Sequence, residues 1–376
     1  MADQNRRTFL KLTSGIGTIG MTGLAGCSGG NGGSGGQSGG GDTTTESDPF
    51  NVGMVYALGG LGDKSFNDMA LQGVKHAKEK YDITYKNTEP GSVNDIETFQ
   101  RKLAQSTSPT YELVTTVGYV QATPLQQNAE RFPDQKFTII DSVVDKPNVA
   151  SYTFKEHQGS FQVGHLGGLL TARDFSTTYT ANGSEHTVST NPDDLVVGFV
   201  GGKQTSLIKK FQAGYEAGAK YADENIEVRS AYVGAWNDPS KAKEIALSMY
   251  DEGADIVYHA AGGSGIGVFK AAMEKGRYAI GVDSDQSKST DFEEVILASM
   301  VKHVDTAVFE SIGNVVQGKF KGGSHVRLGL QDGGVEAIYG QAVGDAIPQS
   351  VKDKLDQSKQ AIVSGEIDVP TEPKNA

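Results

Sequence analysis

The chain of 376 residues has one cysteine, one tryptophan and few charged residues, 21% in all. A single cysteine excludes an internal disulfide, and it excludes zinc and iron–sulfur sites that need several thiolates. Basic residues are in deficit, because 34 Lys and Arg stand against 46 Asp and Glu and give a net charge of −12. A surface of this sign does not neutralise phosphates, so we expect no nucleic-acid partner.

Motifs of common enzyme classes are absent from the part of the chain that we expect to fold. It contains no H-E-x-x-H zinc motif, no G-x-S-x-G nucleophile elbow and no cysteine nucleophile. The seven histidines lack the spacing of metal ligands. They are His76, His157, His165, His186, His259, His303 and His325. We therefore predict that the protein is not an enzyme and that it carries neither a metal nor a cofactor.

The amino terminus has the pattern of an export signal. Residues Arg6–Lys11 resemble a twin-arginine signal, and the next 15 residues carry no charge. This stretch is too short for a bilayer span of about 20 residues. It ends in Leu24–Cys27, which resembles a lipoprotein cleavage box. We predict a signal peptide over 1–26 and lipidation of Cys27; the alternative is a stray thiol.

A glycine-rich segment follows the predicted lipidation site. Residues 28–41 contain nine glycines in 14 positions, a composition that cannot build a packed core. We predict a flexible tether over 27–48, so that folding begins at Pro49. Together these features predict a protein held by a lipid anchor on the extracytoplasmic face of the cell membrane.

From Phe50 onward, short β-branched runs alternate with amphipathic segments in two similar series. The length of the chain also suggests about two domains. The predicted strands cover 51–56, 83–86, 113–118 and 136–141, then 196–201, 228–233, 256–260 and 278–282. The predicted helices cover 66–80, 94–105 and 121–131, then 207–223, 239–252 and 266–275. Strict alternation of strand and helix predicts an α/β fold with two doubly wound parallel-sheet lobes.

The elements after residue 282 are too numerous for the second lobe alone. We predict strands at 295–300, 326–330 and 337–339, with helices over 303–318 and 349–364. If the first of these helices returns to lobe 1, three crossovers form a hinge. Lobe 1 is then 49–155 plus 303–324, and lobe 2 is 156–302 plus 325–376. The polar segment 176–191 is predicted to be a surface insertion between a helix over 161–173 and the second sheet.

Ligands of open parallel sheets bind beyond the carboxyl ends of the strands, so the cleft between the lobes is the predicted site. The loops at these ends carry our candidates: Asp63, Phe66, Asn67, Trp236, Gly262, Asp283 and Lys302. Five of them have a plainer explanation. Asp63 suits a helix N-cap and Phe66 a staple residue; Trp236 suits packing, Asp283 a turn, and Lys302 a solvated surface.

Several stretches resemble the basic membrane protein family of ABC-transporter lipoproteins, which includes the purine-nucleoside receptor type. They are Asp63–Asn67, Phe132–Asp134 with Phe137–Asp141, Ser151–Gly168, Val197–Gly202, Ala260–Phe269, Ala279–Gln286 and Ser299–Lys302. The resemblance spans residues 50–340 in order. It implies a type I periplasmic-binding fold that captures a nucleoside between its lobes and delivers it to an ABC permease.

The resemblance also implies roles for the candidates. Phe66 and Trp236 would cover the two faces of the base, although the family often has Phe where this chain has Trp236. Asp63 and Asn67 would contact the polar edges of the base, and Gly262 would offer its backbone. Asp283 would hold the ribose hydroxyls, with Lys302 on the ribose side. The protein is expected to act as a monomer.

Two other functions remain open from the residues alone. A cleft with aromatic rings and a carboxylate also suits a sugar or another small molecule that is imported or sensed. A secreted nucleoside hydrolase or an oxidoreductase is the third alternative, because paired carboxylates such as Asp283 and Asp285 are compatible with hydrolysis. Binding without turnover would favour the transport function, whereas release of free base would favour the hydrolase.

Overall fold

The computed structural model describes residues 49–374. The predicted signal peptide over 1–26, the lipidation of Cys27 and the tether over 27–48 therefore lie outside the described residues. Across the part that is described, no helix is both long and apolar enough to cross a membrane.

The chain forms fourteen strands between residues 49 and 374. They are β1 (Phe50–Val55), β2 (Ile83–Thr88), β3 (Leu113–Val117), β4 (Phe137–Ile140), β5 (Val149–Phe154), β6 (Ser176–Ala181), β7 (Ser184–Ser189), β8 (Val196–Gly201), β9 (Glu227–Tyr232), β10 (Ala254–Ala260), β11 (Tyr278–Asp283), β12 (Ile296–Lys302), β13 (His325–Leu328) and β14 (Val335–Tyr339). Buried strands such as β3 and β8 are continuous apolar or small-residue runs, as parallel sheets covered on both faces require.

Ten α-helices connect or cover these strands in the same range. They are α1 (Phe66–Lys80), α2 (Val93–Ala104), α3 (Ala122–Arg131), α4 (Glu156–Thr171), α5 (Ser206–Ala222), α6 (Pro239–Asp251), α7 (Ile266–Lys275), α8 (Gln286–Ser289), α9 (Val304–Val316) and α10 (Gln349–Ser364). The predictions for α1, α7 and α10 are confirmed to the residue. Most of the other predicted bounds differ by one or two residues, whereas α4 begins well before the expected start of its pattern.

The strands form two six-stranded sheets. The first has the order β13-β5-β4-β3-β1-β2 and is parallel throughout. The second has the order β14-β12-β11-β10-β8-β9 and is parallel except for β14, which pairs antiparallel with β12. The predicted α/β class with two doubly wound lobes is confirmed.

One predicted lobe boundary is wrong. The sequence places residues 325–328 in lobe 2, but β13 pairs parallel with β5 at the edge of the first sheet. The exposed edge of β5 offers unpaired backbone groups, and β13 satisfies them before the chain crosses over. The chain passes between the sheets from β5 to α4, from β12 to α9 and from β13 to β14. The third crossover therefore lies at 329–334.

The predicted surface insertion is an antiparallel hairpin of β6 and β7, set apart from both six-stranded sheets. Its strands are mostly exposed, and Thr177 and Val188 bind it to Tyr278 of lobe 2 through the phenol oxygen of that residue. The hairpin does not approach the carboxyl ends of the strands where the cleft opens.

Helix α4 carries the chain from the hinge into lobe 2 and is buried along almost its whole length, with fifteen of sixteen residues buried. It packs against α5 at backbone contact distance. A Cβ atom added at Gly164 would lie 2.2 Å from the carbonyl oxygen of Tyr215. Glycine is therefore required here for the two helices to approach. This packing fixes α5, whose first turns face the cleft.

Candidate functional site

The seven residues predicted from sequence line one cavity between the carboxyl ends of the two sheets. They are Asp63, Phe66, Asn67, Trp236, Gly262, Asp283 and Lys302. The empty volume is about 700 Å³, counting the part that is open to solvent.

The loop between β1 and α1 supplies three of these residues, and its shape depends on Asp63. This carboxylate is 8% exposed and accepts hydrogen bonds from the backbone N–H groups of Ser65, Asn67 and Asp68 at 2.9, 3.0 and 3.2 Å. It thus satisfies free donors at the start of α1. Burial raises the pKa of Asp63 to about 6 despite these hydrogen bonds.

Asn67 ties the same loop to the end of β1. Its side-chain oxygen accepts the N–H of Ala57 at 2.9 Å, and its amide nitrogen donates to the carbonyl oxygen of Gly60 and to Asp63. Only 2% of Asn67 is exposed. Asp63 and Asn67 therefore line the cleft while they hold the backbone that presents Phe66.

Trp236 lies in the loop between β9 and α6. Asp238 caps α6 by accepting the N–H of Lys241, with Pro239 in the first turn. The half-buried indole lies against Gly202, where an added Cβ would stand 2.5 Å from a ring carbon. A Cβ atom added at Gly59 in lobe 1 would lie 3.5 Å from the side-chain Cβ of Trp236. Trp236 therefore reaches across the cleft.

Gly262 follows β10 and borders the Trp236 loop. Its φ of +56° is a left-handed conformation that favours glycine. The carbonyl oxygen of Trp236 accepts the N–H of Ser264 at 3.1 Å, which ties the two loops together. A Cβ at Gly262 would lie 3.3 Å from that same carbonyl oxygen, so the backbone here faces the cavity without a side chain.

Two carboxylates stand at equivalent ends of the two sheets. Asp141 follows β4 in lobe 1 and Asp283 ends β11 in lobe 2, and both are buried with φ values of +66° and +64°. Such a conformation is strained for residues other than glycine and is found preferentially at functional sites. Burial raises the pKa of Asp283, although Lys302 and the hydroxyl of Ser65 act in the opposite direction.

Lys302 is 1% exposed and stands between these carboxylates. Its Nζ donates to Oδ2 of Asp141 at 2.5 Å and lies 3.7 Å from Oε1 of Glu156. Burial disfavours the ammonium, but the surrounding carboxylates Asp141, Glu156 and Asp283 outweigh burial and raise the pKa of Lys302. The lysine is thus a buried, fully charged cation.

Aromatic rings enclose the same ammonium. Its nitrogen lies 4.7 Å from the ring centre of Phe66, 5.2 Å from that of Phe154 and 5.5 Å from that of Phe211. Distances below about 6 Å permit cation–π attraction. Phe66 sits at the polar mouth of the cleft because one face of its ring packs on Lys302.

The two lobes touch across the cleft through hydrogen bonds. Ser65 of lobe 1 donates its hydroxyl to Oδ2 of Asp283 in lobe 2 at 2.5 Å. The carbonyl oxygen of Lys64 accepts from the Ser284 hydroxyl at 2.8 Å and from the Gln286 amide at 3.0 Å. The described arrangement is therefore one in which the lobes have closed on each other.

Some residues of the cleft were missed by sequence reasoning. They are Tyr119, Asp141, Leu207, Ile208 and Phe211. A signal for Asp141 existed, because Ile140-Asp141-Ser142 at the end of β4 repeats the pattern of Val282-Asp283-Ser284 at the end of β11. The apolar residues at the start of α5 read as an ordinary core stripe, so their position on the cleft had no local signal.

The chemistry of the cleft is apolar with a few fixed polar groups. Aromatic and aliphatic side chains form most of its wall, and buried carboxylates with one ammonium form the rest. Such a cavity suits a flat ligand that also carries several hydroxyl groups. Within residues 49–374, no group of three or more His, Cys, Asp or Glu side chains could hold a metal ion.

Comparison with known proteins agrees with this architecture. The family model described as "ABC transporter substrate-binding protein PnrA-like" (Bmp) matches residues 50–373. The chain is 31% identical over 338 residues to "ABC transporter nucleoside-binding protein BmpA" of Lactococcus lactis, covering 85% of this chain and 88% of that protein. It is 31% identical over 307 residues to an uncharacterized lipoprotein of Pyrococcus abyssi, covering 79% and 71%.

Among solved structures, an ABC transporter solute-binding protein from Aeropyrum pernix superposes with a TM-score of 0.74 at 28% identity. The match covers 87% of this chain and 94% of that one. A second solute-binding protein, from Conexibacter woesei, superposes at 0.66 with 22% identity, a likeness that concerns the fold alone.

Proposed function

Because the chain belongs to the Bmp family of PnrA-like ABC transporter substrate-binding proteins, we propose that it captures a purine nucleoside between its lobes and delivers it to an ABC importer. The observation that carries this proposal is the meeting of Phe66, Trp236 and Asp283 in one cleft. The relative from Lactococcus lactis, whose printed name is a nucleoside-binding protein, supports the ligand class.

The aromatic residues supply the surface for a base. Phe66 comes from lobe 1 and Trp236 from lobe 2, so a base held between the lobes contacts both when the cleft closes. Stacking of a base on an aromatic side chain contributes about 1–3 kcal/mol. Both rings are held in place, Phe66 by Lys302 and Trp236 by the glycine at 202.

The carboxylates and the ammonium supply the surface for a ribose. Asp283 accepts hydrogen bonds from vicinal hydroxyls, and Asp141 offers a second acceptor, since its Oδ1 is buried without a hydrogen-bond partner among the described residues. Lys302 donates toward the ribose oxygens. Asp63 and Asn67 shape the loop and present what remains of their polar edges to the base.

The protein is proposed to act as a monomer that is lipid-anchored at Cys27 on the outer face of the cell membrane. This rests on the signal and cleavage box in the sequence, and the relative from Pyrococcus abyssi that is called a lipoprotein supports it. The family consists of substrate-binding proteins rather than enzymes. The cleft is accordingly proposed to bind and release its ligand unchanged.

Titration with ligands tests the proposal directly. Trp236 is the only tryptophan of the chain, so its fluorescence reports events in the cleft. We expect inosine, guanosine or adenosine to bind, ribose and hexoses to bind far more weakly, and no free base to accumulate. Accumulating base would replace the proposal with a hydrolase, and tight binding of a sugar alone would replace the ligand class.

Variants connect the binding to the cleft. Trp236→Ala and Asp283→Ala are each expected to weaken nucleoside binding at least tenfold, or ~1.4 kcal/mol. Calorimetry measures the Trp236 variant, which has lost its fluorescent probe. Tyr221→Ala is the matched control, because this aromatic residue is 54% exposed on α5 outside the cleft. Equal affinity of the variants and the wild type would remove these residues from the ligand site.

A further inference from the structure

The hinge contains a buried carboxylate, Glu156, to which the proposed function assigns no role. It is the first residue of α4, where the chain crosses from lobe 1 to lobe 2, and it is 1% exposed. Lys302 ends β12 at the point where the chain crosses back. The 3.7 Å between Glu156 Oε1 and Lys302 Nζ therefore joins two of the three crossovers.

Glu156 lies behind Lys302 rather than on the cleft. Among the described residues that line the cavity, Lys302 and Asp141 are present and Glu156 is not. Its second oxygen, Oε2, is 3.9 Å from Nζ of Lys210 on α5 and has no hydrogen-bond partner within residues 49–374. A carboxylate at the first position of a helix is also favoured by the helix dipole, which is the plain structural explanation for it.

The charges around Lys302 show what Glu156 adds. Asp141 is the nearest partner of the ammonium, yet Asp141 also lines the cavity, and its buried Oδ1 has no hydrogen-bond partner within residues 49–374. If Asp141 were the sole counter-ion, accepting a ligand hydroxyl would compete with the ion pair. A second carboxylate behind the lysine keeps the ammonium compensated while Asp141 and Lys302 both turn to the ligand.

We propose that Glu156 is a positioning residue for the nucleoside site, which holds Lys302 at the hinge and leaves Asp141 free for the ligand. This inference rests on the proposed function for its ligand. It assigns Glu156 an effect on affinity through Lys302, without contact between Glu156 and the nucleoside.

Binding should then depend on the protonation of Glu156. Its pKa is raised to about 7, first by burial and further by Asp141, against the opposing effect of Lys302 and Lys210. The groups that face it are Lys302 from β12, Asp141 after β4, Lys210 from α5 and the phenol of Tyr258 on β10. The neighbouring His157 has its pKa lowered to about 4 by burial and stays neutral above that pH.

The test is the nucleoside affinity of Glu156→Gln as a function of pH. At pH 8 we expect roughly tenfold weaker binding than wild type, as for loss of one charged partner of a buried pair. The affinity of the wild type for the nucleoside should fall as pH drops through 7. This decrease should be absent in Glu156→Gln. Protonation of Asp63, whose pKa is about 6, should lower the affinity further in both proteins at more acidic pH.

Two further variants separate positioning from folding. Glu156→Asp keeps the charge and should recover most of the affinity. Lys210→Gln removes the other neighbour of Glu156 and should bind as wild type does. If Glu156→Gln matches wild type at every pH, or if Lys210→Gln reproduces its loss, the proposal is overturned.

A measurement without ligand tests the role of Glu156 independently of the proposed function. Carbon-13 NMR of the lysine ε-carbons, with Lys302 assigned through Lys302→Arg, follows the ammonium directly. Glu156→Gln should lower the titration midpoint of Lys302, and an unchanged midpoint would overturn the inference. Should the wild type bind no nucleoside, the proposed function fails, and the midpoint still decides whether Glu156 controls Lys302.

Discussion

Asp63 and Asn67 lie in the cleft, yet most of their hydrogen-bonding groups are engaged within the loop that carries them. Asp63 accepts three backbone N–H groups, and Asn67 binds the backbone of Ala57 and Gly60. Few of their lone pairs and protons remain for a base. At this scale, ligand recognition depends on Phe66 being held correctly as much as on direct polar contacts.

Asp63→Ala is therefore expected to destabilise the protein as well as the site. It removes the acceptor for the first N–H groups of α1, and loss of such a cap reduces the free energy of unfolding by about 1–2 kcal/mol. Urea unfolding measures this change, with Asp356→Ala on the exposed face of α10 as the control. Unchanged stability with reduced nucleoside affinity would instead make Asp63 a ligand contact alone.

Gly202 is expected to control the position of Trp236. A Cβ atom at this residue would lie 2.5 and 2.6 Å from two carbons of the indole six-membered ring. Its backbone is not left-handed, so alanine is conformationally allowed and the clash is the main effect. Gly202→Ala should weaken nucleoside binding at least tenfold, or ~1.4 kcal/mol.

A second substitution, at Trp236, distinguishes this clash from a general loss of structure in the Gly202→Ala variant. Trp236→Phe removes the ring atoms that meet the new methyl group, so the double variant Gly202→Ala/Trp236→Phe should bind better than Gly202→Ala alone. Calorimetry is the suitable measurement, because the double variant has no tryptophan. Additive losses in the double variant would show that the two residues act independently.

At the level of the elements, two adjacent residues of the second crossover, Lys302 and His303, connect the three crossovers to one another. Lys302 pairs with Glu156 of the first, and the following His303 binds Glu336, which lies just beyond the third, at 2.8 Å. The backbone N–H of His303 also donates to the carbonyl oxygen of Gly334. The hinge is thus a set of charged and backbone contacts rather than three independent linkers.

The His303 pair gives the hinge a measurable pH dependence. The carboxylates of Asp305, at 3.5 Å, and of Glu336, at 2.8 Å, raise the pKa of His303 to about 9 from an ordinary value of 6.5. Its stabilisation is fully present below pH 6.5, the unfolded-state value, and is lost as pH rises through 9. We expect the free energy of unfolding to fall by roughly 2 kcal/mol between pH 6 and 9 from this group.

His303→Gln should remove that part of the pH slope in urea unfolding at pH 6, 7.5 and 9. His76→Gln is the control, because His76 is exposed on α1. If both variants keep the wild-type slope, the pair does not stabilise the hinge.

Sequence patterns located most elements because each carries its own periodicity and boundary residues. Helix α1 was found to the residue between a capped loop and Tyr81. Strand β5 was missed, since Val149–Phe154 runs through Lys155 into α4 without a turn residue. Strand β13 was given to the wrong lobe because its partner, β5, lies about 170 residues away in the chain, and no local signal fixes that pairing.

For the whole molecule, the positions of the candidates could be predicted because parallel sheets bring strand ends to one edge. The contacts between lobes could not, because they join residues far apart in the chain, 218 positions for Ser65 and Asp283 and 161 for Asp141 and Lys302. Charge is also divided unevenly. Lobe 1 carries 14 basic and 14 acidic residues, whereas lobe 2 carries 17 basic and 28 acidic ones.

The cleft shared by the lobes follows the same negative balance. Three buried carboxylates, those of Asp63, Asp141 and Asp283, line the cleft, and a fourth, that of Glu156, lies behind Lys302, the one buried cation among the described residues. In the proposed complex, the ribose hydroxyls of a nucleoside donate to Asp283 and Asp141. A nucleoside 5′-phosphate brings a charge of about −1.5 to −2 to the same space.

We therefore expect the protein to select nucleosides against their 5′-phosphates. The Kd of a monophosphate should be roughly 100-fold or more above that of its nucleoside, because like charges repel strongly in a closed cleft of low dielectric. Tryptophan fluorescence measures both, and a 5′-O-methyl nucleoside serves as the uncharged control for added size. If the monophosphate bound within tenfold of the nucleoside while the methyl ether bound as the nucleoside does, the carboxylates would not set the charge preference. The alternative would then be that Lys302 faces the phosphate and outweighs all four.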